Sequence, residues 1–454
     1  MERHRAEPQV DSFPGEKARR WVDYHQEYAA KSTYVYDFVW DVTADAIGPF
    51  CKDVDGNIFL DFTSHVSSNA LGYNNPRIVE KLEKFGVTDP LKIAGQDVYA
   101  SAGFPPDDPQ FPGPAQLMER LVEVSSEYGM DKVFLSNSGA EAVENSIKIC
   151  YDNTDGEYGF TFEGAFHGRT LGALSLNRSK SVYRRHFPEI SGIHDLPFCR
   201  DSECTPETCE CGFFVSDGSD AVMEEQTSEL RRKTHPKRGH VDPDEVAYLV
   251  LEPVQGEGGY RVPSDAFMHE INEICDEHDI LIIADEIQSG VGRTGEMWAV
   301  DHYDIEPDVI ASAKALRVGA TVSRVEVFPD EKGRISSTWG AGDLLSSLVG
   351  CLTIDIIRED DLLENAAERG KQMKEILRDA SPDGVIDVRG LGLMLGVEFE
   401  TREVRNEVTE AALERGLMTL ECGNKTMRLL PPLDVTEREI EMGAELLIDA
   451  INSV

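Results

Sequence analysis

Residues 280–295 read ILIIADEIQSGVGRTG, and this stretch is the strongest indicator of the fold. It opens with a continuous apolar run, 280–284, that ends on two acids, Asp285 and Glu286. A run without polar alternation predicts a strand that is covered on both faces, as in a parallel sheet. Ligands of open α/β sheets bind at the carboxyl ends of the strands, so Asp285 is a candidate partner for a protonated ring nitrogen or a metal. The alternative is an acid that simply faces solvent.

Similar apolar runs alternate with helical patterns on both sides of this stretch. The predicted strands include 132–135 and 247–251, and the predicted helices include 116–128, 141–151 and 267–278. This alternation predicts an α/β fold with a large, mainly parallel-sheet domain. Beyond about residue 337, helices, a strand pattern at 385–400 and a helix at 437–451 predict a smaller α/β domain.

We expect three parts along the 454 residues. Residues 1–75 would form an N-terminal arm, loosely attached over its first thirty residues, and a segment that packs with the small domain. Residues 76–335 would form the large domain, with a polar insert at about 197–242, and 336–454 the small domain.

Charge is the unusual feature of the composition. There are 44 basic and 84 acidic residues, a formal net charge of −40, and only 16 of the basic residues are Lys. Such a surface repels nucleic acid and anionic lipid, so we exclude both as partners. A dispersed acidic excess with few Lys indicates adaptation to high salt, where self-repulsion is screened. An ordinary acidic cytosolic protein is the alternative.

Targeting signals are not evident in the sequence. No apolar run reaches the roughly 18 residues of a membrane span, and the polar first 31 residues do not resemble a secretory signal. Nine cysteines in this length are too few for a disulfide scaffold. We therefore expect a cytoplasmic protein.

Two further motifs have the pattern of a binding site. In SNSGAEAVE, residues 136–144, small residues lie between a strand and a helix, where free amides can hold phosphate. A plain helix cap is the alternative. Lys314 follows the predicted strand DVIA, residues 308–311, and a Lys amine in an enclosed site can form a Schiff base. A surface Lys whose stem packs on apolar residues is the alternative there.

Together, these motifs resemble the class III aminotransferases, the fold-type I family dependent on pyridoxal 5'-phosphate (PLP). That family includes 4-aminobutyrate, ornithine, acetylornithine and lysine 6-aminotransferases. The resemblance runs from about Tyr36 to the C-terminus. It rests on DVDGNIFLDF, SNSGAEAVENSIK, GAFHGRT, LEPVQGEGG, ADEIQSGVGRTG, the Lys314 segment, STWG and MRLLPPL.

The resemblance implies roles for individual residues around PLP. Lys314 would form a Schiff base with the cofactor and transfer the proton between the substrate carbon and the cofactor. Asp285 would keep the pyridine nitrogen protonated. Gln288 would bond the phenolic oxygen, and Phe166 would stack on the ring with His167 beside it. The phosphate would be held by Ser138, Gly139 and Ala140, with Thr338 added from a neighbouring subunit.

The resemblance also implies substrate contacts. Arg169 would bind the distant carboxylate of the donor, and Arg428 the α-carboxylate of glutamate or 2-oxoglutarate. Glu252 would pair with Arg428 while an ω-amino donor is bound and swing away when the α-amino acid enters. Val66 would line the pocket. For Arg169, a purely structural role is the alternative.

We therefore expect PLP-dependent transfer of an ω-amino group, 4-aminobutyrate first, to the 2-oxo acid 2-oxoglutarate. Lysine 6- or ornithine aminotransferase, and an amino-acid racemase, are the alternatives. The segment after Lys314 lacks the Gly-rich run of many members, which leaves the donor open. The implied assembly is a homodimer, or a dimer of dimers, with shared active sites. A non-catalytic dimeric scaffold would not need Lys314, Asp285 and Gln288 together.

Four cysteines, Cys199, Cys204, Cys209 and Cys211, cluster in the insert. Their spacings of four, four and one intervening residues lack the pair separated by two residues that usually begins a zinc site. We assign no metal ligand and favour reduced thiols in a surface insert, with a metal or cluster site as the alternative.

Overall fold

The computed structural model describes residues 1–34, 36–85, 104–215, 227–335 and 340–454. They form two compact units: residues 85–363 make one, and residues 1–84 with 364–454 make the other. Thr338, and residues 216–226 of the polar insert, lie outside the described residues. Among those described, none of the helices combines the length and apolarity that a membrane crossing requires.

The strands are numbered in chain order. They are β1 Phe50–Lys52, β2 Ile58–Asp61, β3 Lys132–Ser136, β4 Tyr158–Phe162, β5 Ile193–Leu196, β6 Phe214–Val215, β7 Thr227–Ser228, β8 Val246–Leu251, β9 Leu281–Asp285, β10 Val309–Ser312, β11 Gly319–Ser323, β12 Val385–Leu391, β13 Met394–Phe399, β14 Leu417–Met418, β15 Leu420–Cys422 and β16 Thr426–Leu429.

The helices are numbered in the same way. They are α1 Glu16–Tyr28, α2 Ser64–Ser67, α3 Pro76–Glu83, α4 Pro114–Val124, α5 Gly139–Asn153, α6 Leu171–Ser175, α7 Ser181–Arg184, α8 Glu229–Lys233, α9 Asp265–Glu277, α10 Leu344–Glu359, α11 Leu362–Ala380, α12 Arg402–Glu414 and α13 Glu437–Ile451.

A seven-stranded sheet organises the 85–363 unit, in the order β3-β11-β10-β9-β8-β4-β5. β11 runs antiparallel to β3 and β10, whereas the other four pairings are parallel. All six residues of β8 are buried, as the apolar run predicted. One face packs on α5, whose Ala142, Val143 and Ile147 meet Val250 and Ile283 in a common core. The predicted large, mainly parallel-sheet domain is confirmed.

The boundary between the units differs from the expected one at residue 336. Helix α10 belongs with the seven-stranded sheet, because it packs on α4 in the same unit. Arg120 of α4 and Asp355 of α10 form a bidentate ion pair, with N–O distances of 2.7 and 2.8 Å. The first boundary also moves, from 75 to 84.

The other unit combines the two ends of the chain. Its sheets have the orders β12-β13-β16-β15 and β1-β2-β14. The first residues of the chain are attached to this unit, in contrast to the expected loose arm. Arg3 donates to both carboxylate oxygens of Glu439 at 2.8 Å and to the main-chain oxygen of Asp434, and Gln9 forms a β-bridge with Ile58. The partners of Arg3 are more than 400 residues away, so no local pattern could reveal them.

Candidate active site

The candidate site begins where two parallel strands end side by side. Asp285 is the last residue of β9, and in the β9–β10 register it lies opposite Ala311. The amide of Glu286 donates to the carbonyl of Ala311 at 2.8 Å, which fixes this edge. Lys314 follows two residues after β10, at the start of a short 3-10 turn. Sheet register therefore places Lys314 and Asp285 at neighbouring strand ends.

Asp285 is buried and held on both carboxylate oxygens. Nδ1 of His167 donates to Oδ2 at 2.7 Å, and the amide of Ile287 donates to Oδ1 at 3.1 Å. Burial alone would lower the pKa of His167, but its hydrogen bond to Asp285 and the negative charge there outweigh burial and raise it. His167 therefore lies directly against the carboxylate, which stabilises its protonated form.

Asn177 is a functional residue that the motifs did not reveal. Its Oδ1 accepts from the amide of His167 at 2.6 Å, and its Nδ2 donates to the carbonyl of Gly168 at 2.7 Å. The side chain is buried and fixes the loop that presents His167 to Asp285. It lies ten residues beyond His167 in a stretch without a chemical motif, so the sequence offered no signal for it.

Glu252 follows β8 and is held by main-chain amides. Gly256 donates to its Oε1 and Phe166 to its Oε2, both at 3.0 Å. Burial raises the pKa of Glu252 to about 7, and the charge of Asp285 acts in the same direction, whereas His167 and the two amides oppose the rise. The carboxyl group is thus fixed next to the loop of Phe166 and can exchange a proton near neutral pH.

An anion cradle lies at the start of α5. Ser138 caps this helix, with its Oγ accepting from the amide of Glu141 at 3.3 Å. The first amides of a helix have no acceptor within the helix, so those of Gly139 and Ala140 can hold an anion. A Cβ on Gly139 would come within 2.8 Å of Ile287, two residues after Asp285. The cradle therefore packs against Ile287, close in sequence to the buried acid.

The remaining predicted residues of this unit differ in exposure. Gln288 packs closely on Gly256, where a Cβ would lie 2.4 Å from its Oε1. Phe166 is half-buried, and its ring centroid is 5.4 Å from that of Tyr183. Arg169 is exposed in the single chain. The structure thus brings Ser138, Gly139, Phe166, His167, Glu252, Asp285 and Gln288 into one connected set, with Lys314 at the adjacent strand end.

The unit that contains both chain ends carries two predicted residues. Arg428 is buried on β16, opposite Gly396 of β13 and Leu420 of β15. Val66 is half-buried within α2, which is not a right-handed helix. Its residues Ser64, His65, Val66 and Ser67 have φ of 41°, 49°, 59° and 74°. Left-handed backbone costs a residue with a side chain about 1–2 kcal/mol, so this turn is strained.

The chemistry of the residues suits one type of cofactor. Helix amides and Ser138 suit a phosphate, buried Asp285 suits a protonated ring nitrogen, and Gln288 suits a phenolic oxygen. Lys314 offers an amine to a carbonyl. An aromatic aldehyde with a phosphate arm satisfies all four groups.

Comparison with known proteins agrees with this chemistry. The family model Aminotransferase class-III matches residues 36–451. The acetylornithine aminotransferase of Methanopyrus kandleri is 33% identical over 407 residues, covering 88% of this chain and 92% of that protein. The ornithine aminotransferase of Staphylococcus epidermidis is 30% identical, with 89% and 92% covered. A solved lysine aminotransferase from M. tuberculosis has a TM-score of 0.80 and 28% identity, covering 96% of this chain and 99% of that one.

Proposed function

The chain belongs to the class-III aminotransferase family, and from that membership we propose that it transfers the terminal amino group of ornithine, N-acetylornithine or lysine to 2-oxoglutarate. Its fold is that of the fold-type I enzymes, and its cofactor is PLP. The products are an aldehyde and glutamate. The names of the relatives support these donors over 4-aminobutyrate, the first expectation from the sequence, which we retain as the second candidate.

The observation that carries the proposal is the position of Asp285 and Lys314 at neighbouring strand ends. PLP, when bound, withdraws electrons from the carbon that carries the amino group. Asp285, fixed by His167, keeps the ring nitrogen protonated. Lys314 Nζ would take the proton from the carbon that carries the amino group and would deliver it to the cofactor.

The proposed pocket binds substrate carboxylates at two positions, one remote from Lys314 and one close to it. Ornithine, lysine and 4-aminobutyrate all carry a carboxylate at the end remote from the reacting amine, so Arg169 suits each of them. Arg428 is assigned to the α-carboxylate of glutamate, with Glu252 as its counter-charge in the other half-reaction. Val66, on its strained turn, is assigned to the pocket wall.

A second copy of the chain completes the proposed enzyme. Thr338 is assigned to the phosphate bound by the neighbouring subunit, so each site would draw on two chains. The exposed face of α1 supports association, because Trp21, Tyr24 and Tyr28 repeat at helical spacing and are 55%, 58% and 72% exposed. The acidic surface supports the further proposal that this enzyme works at high salt.

A panel of donors tests the proposal. The holoenzyme is assayed with 2-oxoglutarate in concentrated potassium chloride, using ornithine, N-acetylornithine, lysine and 4-aminobutyrate in turn. We expect stoichiometric glutamate with at least one of the first three, at a higher kcat/KM than with 4-aminobutyrate. Preference for 4-aminobutyrate would overturn the donor assignment. Loss of optical activity without glutamate would show the racemase alternative instead.

A further inference from the structure

The four cysteines of the insert bring their sulfur atoms together. The Sγ atoms of Cys199, Cys204 and Cys211 all lie within 4.8 Å of one another, and Cys209 Sγ is 3.2 Å from Cys211 Sγ. Four thiolates around one zinc ion, at about 2.3 Å each, would be separated by about 3.8 Å. Three of the sulfur atoms are therefore spaced as ligands of a single small cation, and Cys209 Sγ, in contact with Cys211 Sγ, is the candidate fourth ligand.

The polypeptide around these cysteines has no regular secondary structure to fold it. Between β5 and β6 the chain runs through turns, for instance where the amide of Cys204 donates to the carbonyl of Asp201. The segment is also polar, with few side chains that could form a core of its own. Short segments of this kind are commonly held by a metal ion, because binding supplies the folding free energy that a core cannot.

Two aromatic residues bring the ends of the segment together. Phe198 precedes the first cysteine and Phe213 follows the last by two residues, and their ring centroids lie 5.3 and 4.4 Å from that of Phe267 on α9. Cys199 Sγ also lies 3.7 Å from Oγ of Ser264, the residue that caps α9. The cysteines are thus anchored to the large unit at a fixed place.

The sulfur atoms are partly shielded from solvent. Cys199 and Cys204 are buried, so the group is not simply a set of thiols in solvent.

We propose that Cys199, Cys204, Cys209 and Cys211 bind one zinc ion in a tetrahedral site with four sulfur ligands. The four thiols release four protons to the solvent as the ion binds, and no electron is transferred. With four protein ligands the site keeps no open position for a substrate, so its role is structural. The bound ion fixes the insert against Ser264, the residue that caps α9. An iron–sulfur cluster fits less well, because its thiolates bind different iron atoms and lie farther apart.

Elemental analysis of the full-length holoenzyme tests the proposal. The protein is purified under reducing conditions without chelators, and we expect about one zinc per chain and no stoichiometric iron or inorganic sulfide. X-ray absorption at the zinc edge should show four sulfur neighbours at about 2.3 Å. Cys204→Ser should lower zinc content several-fold, whereas Cys275→Ser, at a buried cysteine of α9 outside the cluster, should leave it unchanged.

A second measurement does not depend on whether the variant folds. Zinc is removed from the parent protein with a chelator under reducing conditions and then added back, and the melting temperature is recorded at each step. We expect the temperature to fall on removal and to recover with one equivalent of zinc. Stoichiometric iron, two disulfides among these four cysteines, or failure of the reduced apoprotein to take up added zinc would each overturn the proposal.

Discussion

Lys314 carries the most specific chemical assignment of any single residue. We expect Lys314→Ala to abolish transamination while the fold stays intact, because the anion cradle of Ser138 and the buried Asp285 do not depend on its amine. Glutamate formation and thermal melting measure the two effects. Lys148→Ala, at an exposed position on α5, is the matched control and should keep full activity. Substantial turnover by Lys314→Ala would remove the residue from its role.

Glu252 is assigned to the choice between two substrates. Glu252→Ala should slow the half-reaction with an ω-amino donor and spare the one with glutamate, because the counter-charge that we propose for Arg428 would be gone. One charge-assisted contact is worth about 1.5–3 kcal/mol, so the ratio of the two rates should change roughly ten- to a hundredfold. Single-turnover absorbance changes measure each half separately. Because Phe166 and Gly256 also lose an acceptor, equal slowing of both halves would show a purely structural role.

Glu286 provides a test of pH dependence. Burial raises its pKa to about 7, opposed by hydrogen bonds from Ser289 and the amide of Val300. A raised pKa means that the stabilising contribution is full below the unfolded value of 4.5 and is lost as pH rises through about 7. Between pH 5 and pH 8.5 the free energy of unfolding of the parent should therefore fall. Glu286→Gln removes this titration, so the fall in the variant should be smaller than that in the parent by about 2–3 kcal/mol. Parallel pH profiles from denaturant unfolding would contradict the expectation.

Among the elements, the first turn of the chain gives the clearest prediction. Arg3 is only 24% exposed in its side chain and pairs with Glu439, which is 2% exposed, at the start of α13. Arg3→Ala leaves that carboxylate buried, and because Arg3 itself is partly exposed we expect a loss of about 2–3 kcal/mol rather than the larger cost of a fully buried pair. Arg5→Ala is the control, because Arg5 is 75% exposed and its ion pair with Glu2 should contribute less than about 0.5 kcal/mol. Equal unfolding free energies for the two variants would refute the prediction.

Elements with a continuous local pattern could be predicted from the sequence, and elements defined by distant partners could not. The apolar run 280–284 predicts β9 to within a residue, and the helical pattern gives both bounds of α13. The pairing of Arg3 with Glu439 spans nearly the whole chain, so the attached N-terminus was missed. Helix α10 was placed in the wrong part because its pattern shows an apolar face but not the helix that covers it. At the site, Asp285 follows from strand-end logic, whereas Asn177 has no local signature.

The whole molecule carries a net charge of −40, and this charge predicts its response to salt. Self-repulsion favours expansion at low ionic strength, and the Debye length shrinks from about 10 Å at 0.1 M to about 3 Å at 1 M. We expect the melting temperature of the holoenzyme to rise between these potassium chloride concentrations. Sodium chloride should give the same rise, because the effect is one of screening. A flat or falling melting temperature would count against adaptation to high salt.

The unit formed by residues 1–84 and 364–454 cannot fold completely until the last part of the chain has been synthesised. A ribosome adds roughly 5–20 residues per second, so about 20–90 s separate the emergence of Arg3 from that of Glu439. Until residues 417–418 are made, β2 lacks its neighbour β14, while the 85–363 unit is synthesised without interruption and can fold first. The nascent N-terminal segment is therefore a natural client for a chaperone that covers unpaired strands. A chain halted after residue 363 but before residue 417 would carry a complete seven-stranded sheet and a β2 without its partner β14.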